Sequence, residues 1–408
     1  MQSIAVVGAS LAGFHAVRAL RKAGFDGRIR LIGAEAHRPY DRPPLSKQFL
    51  AGTADEASLA LPGADKLDDL AIDWHLGLAA ISLDLRARNV GLANGSTVSF
   101  DGLVIATGGV VRRLPAEAAP PGMAGVHVLR TLEDAVALRA ELDAGPQRVV
   151  VVGAGFIGAE VAATCRERGL AVTLIEAAPV PLEHAVGAAV GEACLDVHRD
   201  HSVDVRVGVG VTGLVGGQRV QSVALADGSS IAADVVVLGV GVRPAVDWLA
   251  GSGLGLDNGV LCDISCVAAP GVVAAGDVAR WPNPVYGGEL MRVEHWDNAI
   301  AMGGHAALRL LAGPDAVSED YAYRSVPWFW SDQYDRKLQL AGRVRSTDAL
   351  TVVSGSVAER RFAALYERNG VVVGAFGMNR PRHVMQFRAL IERGALWPEA
   401  LELAAKLG

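Results

Sequence analysis

The feature that most constrains this chain is an internal repeat: a strand, glycine turn and helix that begins at Ile4 returns 145 residues later, Gly8 reappearing as Gly153. In the first copy, "IAVVGASLAG" reads as a buried strand (Ile4 to Val7), a tight turn (Gly8 to Gly13) and the start of a helix running through "FHAVRALRKAG". A second strand, "RIRLIG", leads to Glu35. The second copy, "RVVVVGAGFIGAE", is complete, with Gly153, Gly155 and Gly158 at G-x-G-x-x-G spacing and "AVTLIE" ending on Glu176. Such a turn lets backbone N–H groups at a helix N-terminus meet a pyrophosphate, where orphan donors and the helix dipole both favour negative charge. An acid about twenty residues on can accept from ribose hydroxyls. The candidate dinucleotide contacts are therefore Gly8, Ser10, Leu11, Ala12, Gly13 and Glu35 in one copy, and Gly153, Gly155, Phe156, Ile157, Gly158 and Glu176 in the other. Ser10 is the one departure, standing where the second glycine usually allows close approach of the phosphates.

The repeat extends to a closing strand. "SFDGLVIATGG", which ends on Ala106, Thr107 and Gly108, is echoed by "IAADVVVLGVGVRP" at 230–244, which contains Gly241. Small residues at that end of a strand let backbone approach a cofactor. Each half thus predicts a nucleotide-binding domain, and two sites in one chain suggest one bound flavin and one exchanging nicotinamide. The fold class is α/β: two Rossmann-like domains plus an α+β C-terminal domain. The expected boundaries are 1–112 with 245–320, then 113–244, then 321–408, with the proline- and glycine-rich "RRLPAEAAPPGMAG" as a linker.

Other segments have local signatures. "HRPYDRPPLSKQFLAG" is a proline-rich loop, excluded from helix interiors and central strands, that carries Arg42 and Lys47 beside Tyr40 and Asp41. Residues 72–107 alternate as strands. "LRTLEDAVALRAEL" reads as a helix capped by Thr131. Asp277 follows an apolar strand and a glycine, where it opens a predicted helix and could accept from a ribityl hydroxyl. "RVEHWDNAIAMGGHAALRLL" predicts a helix opening near Trp296 and Asp297. In "VPWFWSDQYD", strand alternation sends Trp328 and Trp330 to one face.

A net charge of −6 over 408 residues argues against generic nucleic-acid affinity. No apolar stretch approaches the roughly 18–20 residues a membrane span needs. With structure starting by residue 4 and no signal-peptide pattern before it, a cytoplasmic protein is expected. The four cysteines, Cys165, Cys194, Cys262 and Cys266, form no CxxC pair and suggest neither a metal site nor a disulfide framework.

Taken together, "PYDRPPLSK", "ATGG", "LRTLEDA", "GAGFIGAEVAA", "AAGDVA", "EHWDNA" and "VPWFWSDQYD" give a chain that resembles, over nearly its whole length, the NAD(P)H-dependent flavoprotein reductases of the glutathione-reductase fold. Within them it is most similar to the ferredoxin reductases that serve bacterial oxygenases, of the putidaredoxin reductase and biphenyl dioxygenase reductase kind. The resemblance implies noncovalent FAD held by the Gly8–Gly13 turn, Glu35, Arg42, Lys47, Arg130, Asp277 and Trp296, and NADH on Gly153–Gly158 and Glu176. It places Lys47 near flavin N5, Glu160 near both the nicotinamide and Lys47, and Trp330 over the flavin; these are the three catalytic candidates. Three departures are Ala34 directly after Gly33, His184 where relatives usually have Arg, and an altered loop around Cys262–Cys266. The flavin-domain helix "GFHAVRALRKAG" contains no cysteine, so electrons must leave the flavin directly. The implied acceptor is an acidic [2Fe-2S] ferredoxin serving a cytochrome P450 or ring-hydroxylating oxygenase. The reductase itself is expected to be a monomer or weak homodimer. A rubredoxin reductase or an apoptosis-inducing-factor-like NADH-binding interaction protein are the alternatives. Glu176 would favour NADH over NADPH, and Arg336, Lys337, Arg343, Arg345, Arg380 and Arg382 are candidate docking cations.

Overall fold

A computed structural model describes all 408 residues, which fall into two compact units. The first comprises Met1–Asp41, Ala60–Val110 and Arg243–Pro327; the second comprises Arg42–Leu59, Val111–Val242 and Trp328–Gly408.

The first unit is built on a six-stranded sheet in the order Val267–Ala269, Val272–Ala274, Gly102–Ile105, Ser3–Val7, Arg28–Ile32, Ile72–His75. All neighbours are parallel except the first pair. Strands covered on both faces must be apolar throughout, and Ile4 to Val7 are all buried. After Val7 the chain turns at Gly8 with φ +122°, a conformation that strains any side chain, and the Gly8 N–H donates to the Ile32 carbonyl at 2.8 Å. The helix Leu11–Lys22 packs on the long helix Trp296–Ala312. Their backbones approach so closely that a Cβ on Gly303 would stand 2.3 Å from the Ala12 carbonyl oxygen. A small antiparallel sheet, Ala80–Asp84, Asn89–Leu92 and Thr97–Ser99, completes the alternating strands expected between 72 and 107.

The expectation of a helix at Asp277 fails. Gly276–Val278 is a single 3-10 turn, and the chain continues as the strand Ala279–Asn283, paired with Glu289–Met291. "ARWPN" alternates buried and half-buried residues around a fully buried Trp281, which is strand periodicity, and Pro282 would break a helix interior.

The second unit repeats the theme with a five-stranded parallel sheet in the order Asp204–Val207, Ala171–Glu176, Arg148–Val152, Val235–Leu238, Val126–His127. Its helix Leu132–Asp143 starts with a full capping box: Thr131 Oγ1 accepts from the Asp134 N–H at 3.2 Å, and Asp134 accepts from the Thr131 N–H at 3.0 Å. The C-terminal segment forms a five-stranded antiparallel sheet, Trp328–Gln333, Arg336–Gly342, Val371–Met378, Arg361–Arg368, Ala349–Ser356, followed by helices Pro381–Glu392 and Trp397–Leu407. One face of this sheet, with Phe329, Leu338, Phe362 and Phe376, shares a core with Val186, Val190 and Val197 around the helix Ala188–Asp200. That shared core is why 328–408 groups with the second nucleotide fold. Leu50 does the same for Arg42–Leu59, packing in one core with Leu138, Val161 and Cys165. No helix is long and apolar enough to cross a membrane.

Candidate active site

The first unit presents one backbone cradle. A Cβ on Gly8 would stand 2.0 Å from the Ala106 carbonyl oxygen, and one on Gly13 would stand 1.9 Å from the Gly8 carbonyl oxygen. The turn is therefore pressed against the closing strand at one end and folded on itself at the other. This leaves the N–H groups at the start of Leu11, Ala12 and Gly13, the first helical turn, without intrahelical acceptors. Ser10 sits at the N-cap in extended backbone (φ −126°), so it is accommodated without strain. The Asp277 turn lies against the same helix end, a Cβ on Gly276 meeting the Ala12 Cβ at 3.0 Å. Thr107 Oγ1 donates to the Ala245 carbonyl at 2.9 Å, and Gly108 follows with φ +65°. Glu35 accepts from Tyr40 Oη at 2.5 Å, and Trp296 Nε1 donates to Asp41 at 2.8 Å. Tyr40 and Asp41 thus orient two expected contacts, a role that nothing in their local pattern announces.

The second unit has the matching cradle. Gly153 has φ +100°, and a Cβ there would stand 2.4 Å from the Gly239 carbonyl oxygen; one on Gly158 would stand 2.0 Å from that of Gly153. At Gly155 nothing lies within 4 Å of the Cβ position. Such open space beside the first turn of the helix Phe156–Glu167 fits a pyrophosphate. Ile157, in that first turn, is exposed. Glu176 closes the cradle, accepting from the N–H groups of Ala154 and Ala178 at 2.9 Å each. Gly241, with φ +93°, is exposed and accepts from the Arg112 N–H at 2.9 Å. Arg42 donates to the Arg130 carbonyl, and the Asp134 capping carboxylate accepts from the Arg130 N–H at 3.0 Å, so that loop is held from both sides.

The same unit brings together two of the three catalytic candidates. Lys47 and Glu160, 113 positions apart, form an ion pair at 2.6 Å, with side chains only 12% and 3% exposed. Neither is an ordinary surface charge. A carboxylate is buried this deeply only when its oxygens are partnered. Glu160 Oε2 also accepts from Ser46 Oγ at 2.5 Å, and its Oε1 accepts from Ser331 Oγ at 2.8 Å. Lys47 Nζ donates in addition to the Pro43 carbonyl at 2.9 Å, and Thr164 Oγ1 to that of Ser46 at 2.8 Å. Trp328 and Trp330 lie on one face of the strand Trp328–Gln333, as alternation predicts, stacked at 5.3 Å with 26° between planes. Phe329, on the other face, meets Phe156 at 4.2 Å. Ser46, Thr164 and Ser331 escaped the sequence reading because serine and threonine in a loop, helix or strand carry no positional signal of their own.

The cysteines have no comparable setting. All four are free, and burial pushes the thiols of Cys165, Cys194 and Cys262 up to about 12 and that of Cys266 well above its ordinary value. A thiol held protonated is neither a nucleophile nor a ready redox partner.

Residues 2–303 match the family described as "Pyridine nucleotide-disulphide oxidoreductase", and residues 328–405 match "Reductase C-terminal". The chain belongs to the first of these families. It is 38% identical over 392 residues to rhodocoxin reductase of Rhodococcus erythropolis, covering 95% of this chain and 89% of that one. It is 35% identical over 394 residues to putidaredoxin reductase of Pseudomonas putida, covering 95% and 91%. Among solved structures, the covalent putidaredoxin reductase–putidaredoxin complex matches with a TM-score of 0.90 at 33% identity, covering 96% of this chain and 93% of that one. The two-Rossmann architecture with a C-terminal domain is therefore the family's own, and the chain is an oxidoreductase that uses FAD and NADH. Both cradles fit those groups: each offers a helix N-terminus beside a turn whose outer glycines leave no room for a Cβ.

Proposed function

We propose that this protein is the reductase component of a bacterial oxygenase system, working in the cytoplasm and passing electrons from NADH through FAD to a [2Fe-2S] ferredoxin that serves a cytochrome P450 or ring-hydroxylating oxygenase. The observation that carries this reading is a pair of dinucleotide cradles in a chain whose four cysteines are free, unpaired with one another and absent from the first flavin-domain helix. With no thiol poised to receive them, electrons have no stop on this chain between the cofactors and a partner protein. FAD supplies the ability to take a hydride pair from NADH and to release electrons singly to an iron–sulfur centre. Gly8 to Gly13, Glu35, Ala106 to Gly108, Asp277 and Trp296, with Arg42, Lys47 and Arg130, would hold FAD; Gly153 to Gly158, Glu176 and Gly241 would hold NADH. Lys47 fixes Glu160, and the pair would orient the nicotinamide without acting as acid or base in hydride transfer. Trp330, braced by Trp328, would shield the isoalloxazine from water on the acceptor side.

An acidic partner needs a local positive patch on a chain of net charge −6. Arg336 and Lys337 are weakened for that role because they pair with Asp335 at 2.8 Å and Asp332 at 2.6 Å. Arg343, Arg345 and Arg382 are exposed and Arg380 is half-buried, and all four remain candidates. We take the working unit to be a monomer or weak homodimer with no nucleic-acid role. The test is anaerobic mixing of the FAD-loaded protein with NADH and then with ferredoxins encoded beside its gene, with cytochrome c as final acceptor. Rapid reduction of one ferredoxin is expected. Reduction of a rubredoxin alone would reassign the acceptor. NADH-driven dimerisation without acceptor turnover would replace catalysis by an interaction role.

A further inference from the structure

The C-terminal sheet carries a buried side chain, Ser331, whose hydroxyl donates to Glu160 at 2.8 Å. We propose that Ser331 is a positioning residue for the Lys47–Glu160 pair, so that this sheet sets the rate of flavin reduction by NADH as well as contributing the acceptor-side tryptophans; the inference rests on the NADH and FAD reading above.

Strand Trp328–Gln333 has two unlike faces. Trp328 and Trp330 are half-buried on one, while Phe329, Ser331 and Gln333 are buried on the other. On the buried face, Ser331 Oγ donates to Glu160 Oε1 at 2.8 Å, and Gln333 Nε2 donates to Ser331 Oγ at 3.1 Å. A hydroxyl has one proton. With Gln333 occupying its oxygen as a donor, that proton is directed at Glu160. The division of labour around the carboxylate is then complete: Oε2 takes Lys47 and Ser46 from the 43–47 loop, and Oε1 takes Ser331 from the C-terminal sheet. Ser331 and Gln333 are 0% and 1% exposed, so water cannot replace either one.

Removing the Ser331 hydroxyl leaves Oε1 buried without a donor, and a buried acceptor in that state costs its full desolvation. The carboxylate escapes by rotating toward Ser46 and Lys47, which moves the Lys47 ammonium with it. Small displacements at a hydride-transfer site have large effects on rate. The effect should fall on the step in which NADH reduces flavin, because the tryptophans on the opposite face of the strand keep their stack.

The experiment is stopped-flow measurement of the two half-reactions of the FAD-loaded protein, with NAD+ binding to the oxidised enzyme read by calorimetry. Ser331→Ala, which removes one atom and leaves no larger group to fit, is expected to slow flavin reduction by roughly tenfold and to weaken NAD+ binding roughly threefold or more. Reduction of ferredoxin by the dithionite-reduced variant should keep its wild-type rate. Gln333→Met, which keeps the hydroxyl but frees its orientation, should show a smaller loss of the same kind. The deciding comparison is a double-mutant cycle: in a Glu160→Ala background Ser331→Ala should add less than about twofold, because there is no carboxylate left to position. Equal losses in both half-reactions, or losses that simply multiply in the Glu160→Ala background, would show that Ser331 acts by packing and overturn the proposal. If NADH fails to reduce wild-type flavin, the functional reading falls with it; if wild type is reduced but Glu160→Ala reacts as fast, this inference falls together with the nicotinamide-orienting role of the Lys47–Glu160 pair, and the reductase reading stands.

Discussion

The two glycine turns share a topology and differ at one of their three glycine positions, and the difference separates what folding demands from what a ligand demands. At the first and third positions the units agree: Gly8 and Gly153 have positive φ, and a Cβ on any of Gly8, Gly13, Gly153 or Gly158 would stand within 2.4 Å of a carbonyl oxygen. Those glycines let strand, turn and helix close on one another. At the second position neither unit needs a glycine for its backbone. Ser10 has φ −126° and Gly155 has φ −69°, both open to any residue. Nothing lies within 4 Å of the Cβ position at Gly155, so what glycine provides there is room outside the fold. A serine in the first unit therefore changes the lining of the site and leaves the architecture alone.

The largest effect is expected from Gly13→Ala or Gly158→Ala. The new methyl meets backbone that cannot move, so each should cost about 3 kcal/mol or more and deplete FAD-loaded protein, seen by thermal unfolding and bound flavin. A stable, fully loaded Gly158→Ala variant would show that the turn is more pliable than its contacts say.

The units also differ in a buried histidine. Burial pushes His198 in the second unit down to about 4. At neutral pH the imidazole is uncharged folded or unfolded. As pH falls below about 6.5, only the unfolded chain takes up the proton, so stability is lost until about pH 4, by up to about 3 kcal/mol. His198→Gln should flatten that part of the stability–pH curve while leaving stability at pH 8 within about 1 kcal/mol, checked by urea unfolding at stepped pH; an unchanged slope would remove His198 as the cause.

The two ribose acids offer the next test. Glu35 is held by a tyrosine hydroxyl, whereas Glu176 is fixed by two backbone N–H groups and followed by Ala177, Ala178 and Pro179, with no cation to meet a 2′-phosphate. Repulsion and lost hydrogen bonds of roughly 2–3 kcal/mol predict a 30- to 150-fold preference for NADH in kcat/KM, about. Glu176→Ala should cut the ratio below about ten, mostly by losing NADH. Equal use of both coenzymes by the wild type would remove the role given to Glu176.

The smallest effects should come from exchanging the second-position residues. Ser10→Gly should alter stability by less than about 0.5 kcal/mol and FAD affinity by less than about tenfold. Gly155→Ser should also leave unfolding nearly unchanged but raise the KM for NADH, by roughly tenfold, since its hydroxymethyl enters the space meant for phosphate. A large loss of stability in either would contradict the separation of fold from ligand.

The repeat, both glycine turns, the Thr131 cap, the strand alternation at 72–107 and the shared face of Trp328 and Trp330 were legible in the sequence alone. Each depends on periods of two or 3.6, or on residues a few places apart, and such signals are complete within a short window. A local window misled at Asp277, where a strand–glycine–acid pattern suits a helix start but the burial of Trp281 five residues from Gly276 imposes a strand. The family resemblance implied that Glu160 lies near Lys47, but only the tertiary structure brought Ser46 and Ser331 into the same cluster, with 113 to 171 positions separating Glu160 from the others. It likewise joined 42–59 and 328–408 to the second nucleotide fold, through Leu50 in one core and Phe329 and Phe376 in another. The physical reason is the same in both cases: a buried carboxylate or an apolar sheet face must find partners, and nothing in its own neighbourhood specifies which distant segment will supply them.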